Sequence, residues 1–514
     1  MYIYTPKKMV RASPKLKKKW EYLKSKADAL FGVDLRSLAL LRICVAIILL
    51  VNIVNLASDF KAFFTNSGII PRQLVQSKGW NLSIYLLSSS IRVQEILLIL
   101  QIIFAIALLF GFYTKLASIA SWFFFLSMRL RNPFIFHGGD GILRLMLFWG
   151  MFLPWANYYS LDSFFSVEKR QKRLMSLGTF ALLIQVLCVY FFAFILKLGK
   201  EWSDGSAVFY SLNYNMYVSE FGKFLLNFPV ILKPLTYAVH YFELFGSIML
   251  FFPFFINRIR ITLVFLFIFM QFMLGLSFRL STFPWIASAM MIPFISSEHF
   301  DSFQKKARNN AKILKFHYIY KKLFLLRLKA KKRFYFTNLF KKYHFHFKTK
   351  LISNIIILIS LGFVIMSNLG SIGLFKMPRQ VEQTLSNFGL SQKWNMFAPS
   401  PGINDGWFII IGKQKNGNKL NLLNPTLPIS FEMPSKLSST FKNLFWAKYY
   451  ENLWTNRKNA IPYHFSMYLC KQWNRKYEGL EKLDEVQVIY MLANRCATYP
   501  LCKPNMRLIG KYYC

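Results

Sequence analysis

Residues 96–112 read ILLILQIIFAIALLFGF, and residues 351–375 read LISNIIILISLGFVIMSNLGSIGLF, with no charged side chain in either run. A bilayer core takes about 20 mostly apolar residues per helix. No water reaches that core, so backbone groups must bond within the segment, and such runs are helices. Seven further blocks follow the pattern. The expected spans are 37–57, 96–112, 116–128, 142–156, 175–198, 235–256, 261–277, 283–295 and 351–375. The third, fourth and eighth are short, so they are read as tilted partners or as helices that extend through charged flanks. The fold expected is an all-α polytopic membrane bundle of about nine transmembrane helices, with a small C-terminal extracytoplasmic α+β domain.

Apolar residues make up 54% of the chain, and the net charge is +43. In a soluble protein that charge would point to nucleic acid. Here the basic residues cluster at the ends of apolar blocks, where they set topology and attract anionic lipid. Membrane lipids are therefore the expected partners, and nucleic acid is not. Residues 1–27 hold nine Lys/Arg against one acid and no apolar signal region, so the first span is expected to act as the insertion signal. Segments 169–173 and 257–260 and the loop 301–350 are also basic; the loop carries 16 Lys/Arg against Asp301 alone. All of them fall on one side of a nine-span chain, which places the N-terminus in the cytoplasm and the C-terminus outside the inner (plasma) membrane. Arg129, Arg131 and Arg279 fall on the other side and dissent.

The expected divisions are a basic cytoplasmic N-terminus (1–30), a membrane domain of about eight helices (31–300), a basic cytoplasmic loop (301–350), a ninth span (351–375) and an extracytoplasmic domain (376–514). The loop mixes Lys with aromatics and includes His344 and His346, as in a segment lying on the inner leaflet. In the last division, 408–411 and 486–490 read as strands, and Lys415-Asn416-Gly417-Asn418 reads as a hairpin turn. Cys470, Cys496, Cys502 and Cys514 form an even set in an exported region, which fits disulfides in any of three pairings. Their spacing does not fit zinc, and no metal site is expected. Cys44 and Cys188 read as apolar packing residues.

Ionisable groups inside membrane helices are costly and are functional candidates by default. Arg42, Arg144, Lys197, His240 and Glu243 lie in expected spans. His240 and Glu243 are three apart and share a face. Each has a plain alternative: Lys197 at the interface, or Arg42 and Glu243 paired between helices. His137-Gly138-Gly139-Asp140 precedes the fourth span, and Lys200-Glu201-Trp202-Ser203-Asp204-Gly205 follows the fifth. On this topology Asp140, Lys197 and Asp204 share the outer face, where a partly desolvated lysine can act as a base.

These stretches carry a resemblance. The chain is identified as a member of the HTTM (horizontally transferred transmembrane domain) family, which includes the vitamin K-dependent gamma-carboxylases. The matching residues are Arg36 to Arg42, Phe64 to Arg72, Gly138-Gly139-Asp140, Val189-Tyr190-Phe191 through Lys197 to Trp202, Asp204-Gly205, Glu243-Leu244, Phe283-Pro284-Trp285 and Trp394 to Pro399. The resemblance implies nine spans and a site on the luminal side. There a lysine matching Lys197 deprotonates vitamin K hydroquinone. Oxygen then generates the base that takes a proton from a glutamate side chain, and the carbanion takes up carbon dioxide. Departures are plain. The carboxylases have two adjacent lysines where this chain has Leu196 and Lys197. They have Asn-Asn-His where this chain has Gly138-Gly139-Asp140. Met270 and Gln271 stand where a histidine is expected, and the luminal part is shorter. Gly-Gly-Asp is similar to the bacterial members.

The function expected is therefore a bacterial HTTM membrane protein, gamma-carboxylase-like, acting on an exported peptide or a quinone-like lipid at an outward-facing site. Lys197 and Asp140 are the expected catalytic residues, and Arg42, Trp202, Asp204, Glu243 and His240 are expected to line or brace the site. Reduced vitamin K or another quinol is the cofactor the resemblance implies. The rival reading is non-enzymatic: a maturation or export partner of a secreted peptide, or a lipid-binding scaffold. A transporter is disfavoured, because no repeated pair of Gly/Pro-broken spans is present.

Overall fold

The structure is a computed structural model that describes residues 14–76, 81–166, 171–308, 346–402, 404–494 and 504–514. The basic segment 169–173 and loop 301–350 fall partly, and Cys496, Cys502 and His344 wholly, outside the described residues.

A basic helix, α1 (Pro14–Phe31), leads into the bundle. Then come α2 (Leu35–Ala57), α3 (Ile91–Phe110), α4 (Thr114–Arg131), α5 (Gly138–Gly150), α6 (Leu177–Leu196), α7 (Pro229–Met249), α8 (Ile256–Ser277) and α9 (Phe283–Ala289). A further helix, α10 (Ser297–Arg308), precedes α11 (His346–Ser371). Among the described residues, five helices are long and apolar enough to cross a membrane: α2, α3, α6, α8 and the Lys350–Ser371 stretch of α11. Helices α4, α5, α7 and α9 overlap the other four expected blocks, but α5 and α9 are short, at 13 and 7 residues. Ile47, Val51, Val54, Phe265 and Phe272 are exposed on span surfaces, as lipid-facing residues must be.

The chain shuttles between two ends. At one, Arg36 pairs with Asp34 and Asp301, Lys172 reaches Asp301, and Arg173 reaches Asp28. A two-residue antiparallel ladder pairs Val33 with Leu174 and Asp34 with Arg173 there. Asp34 also caps α2 by accepting from the Arg36 N–H. At the other end Arg131 donates to the carbonyls of Phe64 and Ile70, and Asn132 donates to that of Phe63. Between the ends, buried amides bond across helices: Gln185 with Gln392 and Trp149, Asn52 with Asp140, and Tyr85 with Gln101. Such contacts hold helices together where apolar burial cannot discriminate helix from lipid, at about 0.6–2 kcal/mol each.

Beyond α11 lie α12 (Arg379–Asn387) and a four-stranded antiparallel sheet. Its strands are β1 (Asn404–Gln414), β2 (Lys419–Asn421), β3 (Leu483–Asn494) and β4 (Asn505–Tyr513), in the order β2-β1-β3-β4. The expected strands lie in β1 and β3, and the Asn-Gly turn joins β1 to β2, with Gly417 at φ +89°. Helices α13 (Leu444–Thr455) and α14 (Ile461–Asn474) sit between β2 and β3 in the chain. Phe408 and Ile410 point into the main core, while Trp407, Ile409 and Ile411 point into a second cluster with Leu437 and Met491. Both faces are covered, so β1 reads as a continuous apolar run instead of alternating. Cys470 in α14 is disulfide-bonded to Cys514, with Cα atoms 5.6 Å apart.

Asp59, at the turn after α2, is 7% exposed and accepts from Lys442 (2.7 Å) and Asn443 (2.8 Å) of the C-terminal region. Burial opposes its charge, but Lys442, Trp446 and Asn443 outweigh it and hold the carboxyl below its usual range. A lowered folded pKa means that this contribution is present above the unfolded carboxylate value and is lost as pH falls through the folded one. Asp59→Asn is expected to cost about 1–2 kcal/mol, read as a lower thermal midpoint at neutral pH. The difference from the parent protein should shrink on acidification. Non-reducing peptide mapping should recover Cys470 joined to Cys514.

Candidate functional site

Helix α6 stops at Lys197, whose backbone (φ −86°, ψ 64°) has left the helical region while its N–H still bonds the Phe194 carbonyl. The exit is shaped by Gly199, which donates its N–H to the Pro399 carbonyl at 2.8 Å. A Cβ at Gly199 would overlap Ser400 and come 2.6 Å from that carbonyl. The segment 394–400 can lie against the end of α6 only because residue 199 has no side chain.

The Lys197 side chain turns inward and is 6% exposed. Its Nζ lies 2.5 Å from both carboxylate oxygens of Glu243 on α7. The same Nζ sits 4.8 Å from the centre of the Trp202 ring. One turn before Glu243, His240 stacks on Trp202 at 5.2 Å and packs on Phe194 at 4.4 Å. Trp202 is fixed in turn by donating Nε1–H to the Phe397 carbonyl. Lys197, Glu243, Trp202 and His240 therefore form one cluster, in which a buried cation is held by a carboxylate and an aromatic face.

Three expected site residues lie elsewhere. Arg42 is near the opposite end of the bundle, where its Nη2 donates to the Tyr159 carbonyl at 2.5 Å. It is eight residues into the chain from Asp34, about 12 Å of helix rise, whereas Lys197 closes a helix at the far end. Arg42 and Glu243 do not pair. Asp204 is exposed and accepts from the N–H and hydroxyl of Ser206, closing its own turn. Asp140 is fully buried and accepts from Asn52 Nδ2 (2.6 Å) and the His137 N–H (2.8 Å). It closes a capping box at the start of α5, so its carboxylate is spent on helix initiation.

A cavity of about 750 Å³ opens over Lys197, Glu243 and Trp202. His137 and Gly138 line it, although Asp140 does not. Tyr190 and Gln271, joined by a 3.3 Å hydrogen bond, form another part of the wall. Leu235, Leu266 and Phe269, on α7 and α8, line the cavity too and are exposed. Residues Trp394 to Ala398 cover it from the C-terminal side, with Tyr217, Glu451 and Lys448 beyond. Tyr217 donates to Glu451, which also takes Lys448 at 2.9 Å. Partial burial and then the Glu451 carboxylate hold the Tyr217 hydroxyl well above its ordinary pKa, so it remains a donor at neutral pH. Among the described residues no group of His, Cys, Asp or Glu side chains is arranged to hold a metal ion.

Sequence reasoning did not assign His137, Tyr190 or the 394–400 segment to the site. The aromatic-rich WNMFAP stretch was the available signal, but nothing local tells that it folds back onto α6.

Long apolar helices around a buried ion pair in a cavity define a polytopic membrane protein with a ligand-sized polar site. The chain belongs to the HTTM domain family, whose profile matches residues 32–299, more than half of its length. No curated protein and no solved structure matches it.

Gly199→Val should expel the 394–400 segment from the end of α6. The expected result is new protease cleavage near Ser400 with the apolar helices intact. Unchanged protection there would contradict the close approach.

Proposed function

We propose that this HTTM protein is a gamma-carboxylase-like membrane enzyme that moves a proton at the Lys197–Glu243 pair. The observation that carries this reading is that pair, buried against Trp202 in the wall of a 750 Å³ cavity. Buried ion pairs are poor stabilisers, because desolvation offsets much of their attraction. One that faces a ligand-sized cavity is a site candidate.

As an ion pair, Glu243 holds the acceptor oxygens and Lys197 the cation. A weakly acidic hydroxyl in the cavity can pass its proton to Glu243, leaving its oxyanion facing the Lys197 ammonium. The site then holds no unpaired charge, as an apolar enclosure requires. Trp202 contributes about 2 kcal/mol or less to the cation. The residues fit a quinol: apolar walls for a ring and tail, and two protonatable groups for a hydroxyl. By resemblance, a reduced quinol bound there supplies, with oxygen, the base strength needed to remove a proton from a glutamate side chain. The wall formed by Leu235, Leu266 and Phe269 supports lipid access from the bilayer. The opposite wall, by Tyr217 and Lys448, supports access for an exported peptide.

In this reading all nine helical blocks span a bacterial inner membrane, with the basic N-terminus and loop 301–350 cytoplasmic and residues 376–514 outside. The shuttling of the chain between a basic end and the end bearing the C-terminal domain supports it, as does the Cys470–Cys514 disulfide. Asp140 acts through the α5 cap that positions His137, and Arg42 and Asp204 take no part in the chemistry.

The test is incorporation of labelled bicarbonate into a glutamate-rich peptide by purified protein with reduced quinol. Incorporation that falls at least about 100-fold in Lys197→Met supports the reading. No incorporation, with peptide association retained in both proteins, would point to a non-enzymatic maturation partner instead. Stability separates the pair from its neighbours. Lys197→Met or Glu243→Leu alone should cost about 3–5 kcal/mol by leaving one buried charge unpaired. The double variant should cost less than the sum, while remaining inactive.

A further inference from the structure

We propose that a second cavity, between α4, α5 and α12, is an anion site that takes a phosphate group. It lies at the end of the bundle that carries the C-terminal domain, encloses about 400 Å³, and has Arg129, Arg144, Arg379 and Glu382 in its walls. It is separate from the Lys197 cavity, and the inference does not rest on that site's chemistry.

Arg144 is 7% exposed. Its Nη2 donates to the Ser391 carbonyl at 2.7 Å, but its Nε is buried with no hydrogen-bond partner among the described residues. The Nη1 of Arg129 is buried and unpartnered as well. Native structures leave few buried N–H groups unmatched, so each needs an explanation. No carboxylate among the described residues pairs with either arginine. Asp140 is close enough for its charge to act on both, yet its oxygens already accept from Asn52 and the His137 N–H. Glu382 and Arg379 stand exposed at the rim.

Arg144 is also held in place. Gly389, at φ +69°, folds the backbone over it, and a Cβ there would meet Arg144 Cδ at 2.8 Å and Nε at 3.3 Å. The guanidinium is thus fixed by the chain with a donor left over, which is how a preformed anion site is built. Guanidinium forks match phosphate oxygens, and three from three helices exceed what one monoanionic carboxylate can satisfy. The phosphate can belong to a phospholipid headgroup, since the cavity sits where α4 ends and where α12 follows the last apolar span. It can equally be a free or solute-borne phosphate.

Two arms of one experiment distinguish these sources. Full-length protein stripped of lipid in detergent is titrated with inorganic phosphate against acetate at constant ionic strength, reading the thermal midpoint. The same protein is exchanged with phosphatidylglycerol or diacylglycerol, reading retained lipid by native mass spectrometry. A saturable rise with phosphate identifies a free anion, and selective retention of phosphatidylglycerol identifies a headgroup. Arg129→Gln should weaken whichever binds by about tenfold, and Arg379→Gln, at the exposed rim, by about threefold. The rim variant keeps the test open if Arg129→Gln does not fold. Binding of neither probe, a preference for acetate, or unchanged binding in Arg379→Gln would overturn the proposal.

Discussion

A lysine drawn into the end of an apolar helix bundle must meet a counter-charge, and Glu243 meets Lys197. That single pairing fixes much around it. It sets the rotation of α7 against α6, because the carboxylate has to face the end of the neighbouring helix. It then carries His240, one turn earlier on the same face, onto the ring of Trp202. The chain leaves the helix at Lys197, and the Lys197 side chain lines the cavity. The break at Gly199 and the segment that fills it follow from that exit.

Acids are scarce here, with 22 Asp and Glu against 65 Lys and Arg. Several arginines consequently donate to backbone carbonyls. Arg131 takes Phe64 and Ile70, Arg260 takes Leu250 and Leu30, and the exposed Arg279 takes Ser438. Carbonyls near helix ends carry the negative pole of the backbone dipole, so they serve where carboxylates are lacking. Arg131 and Arg279, two of the three residues that dissent from the charge rule, are each held by backbone carbonyls. Against such a background, giving one of the few acids to Lys197 is a specific arrangement.

The apolar blocks, the charge asymmetry of the two ends and the strands of β1 and β3 were legible because each is a local pattern. His240 and Glu243 were legible as one face, since three-residue spacing in a helix admits little else. What local pattern could not show was which partner each polar residue would find. Asp140 reads as a catalytic residue, yet His-Gly-Gly-Asp is also a helix start, and in the structure the carboxylate caps α5. Arg42 reads as a brace for the site because an apolar span does not itself show that Arg42 and Lys197 lie near opposite ends of the bundle. Asp204 stands next to the site in sequence, but the tight turn after Trp202 turns it to solvent. The 394–400 segment contacts α6 across some two hundred residues of chain, a contact no periodicity reports.

The two cavities are lined by neighbouring stretches of the same chain segments. The turn at His137 and Gly138 borders the larger, and Arg144, one and a half turns into the same helix, borders the smaller. On the far side, Ser391 borders the smaller and Lys393 onward borders the larger. Asp140 lies buried at the start of that helix, acting on both arginines while bonded to the backbone that places His137. The cap of α5 therefore stands between the arginine cavity and the wall of the cavity that holds Lys197. The extended chain from Gly389 to Ser400 lies along the same path, pinned by Arg144 at one end and by Gly199 and Trp202 at the other. Asp140, expected to belong to the chemistry of Lys197, is thus connected to it through the scaffold instead of through the substrate.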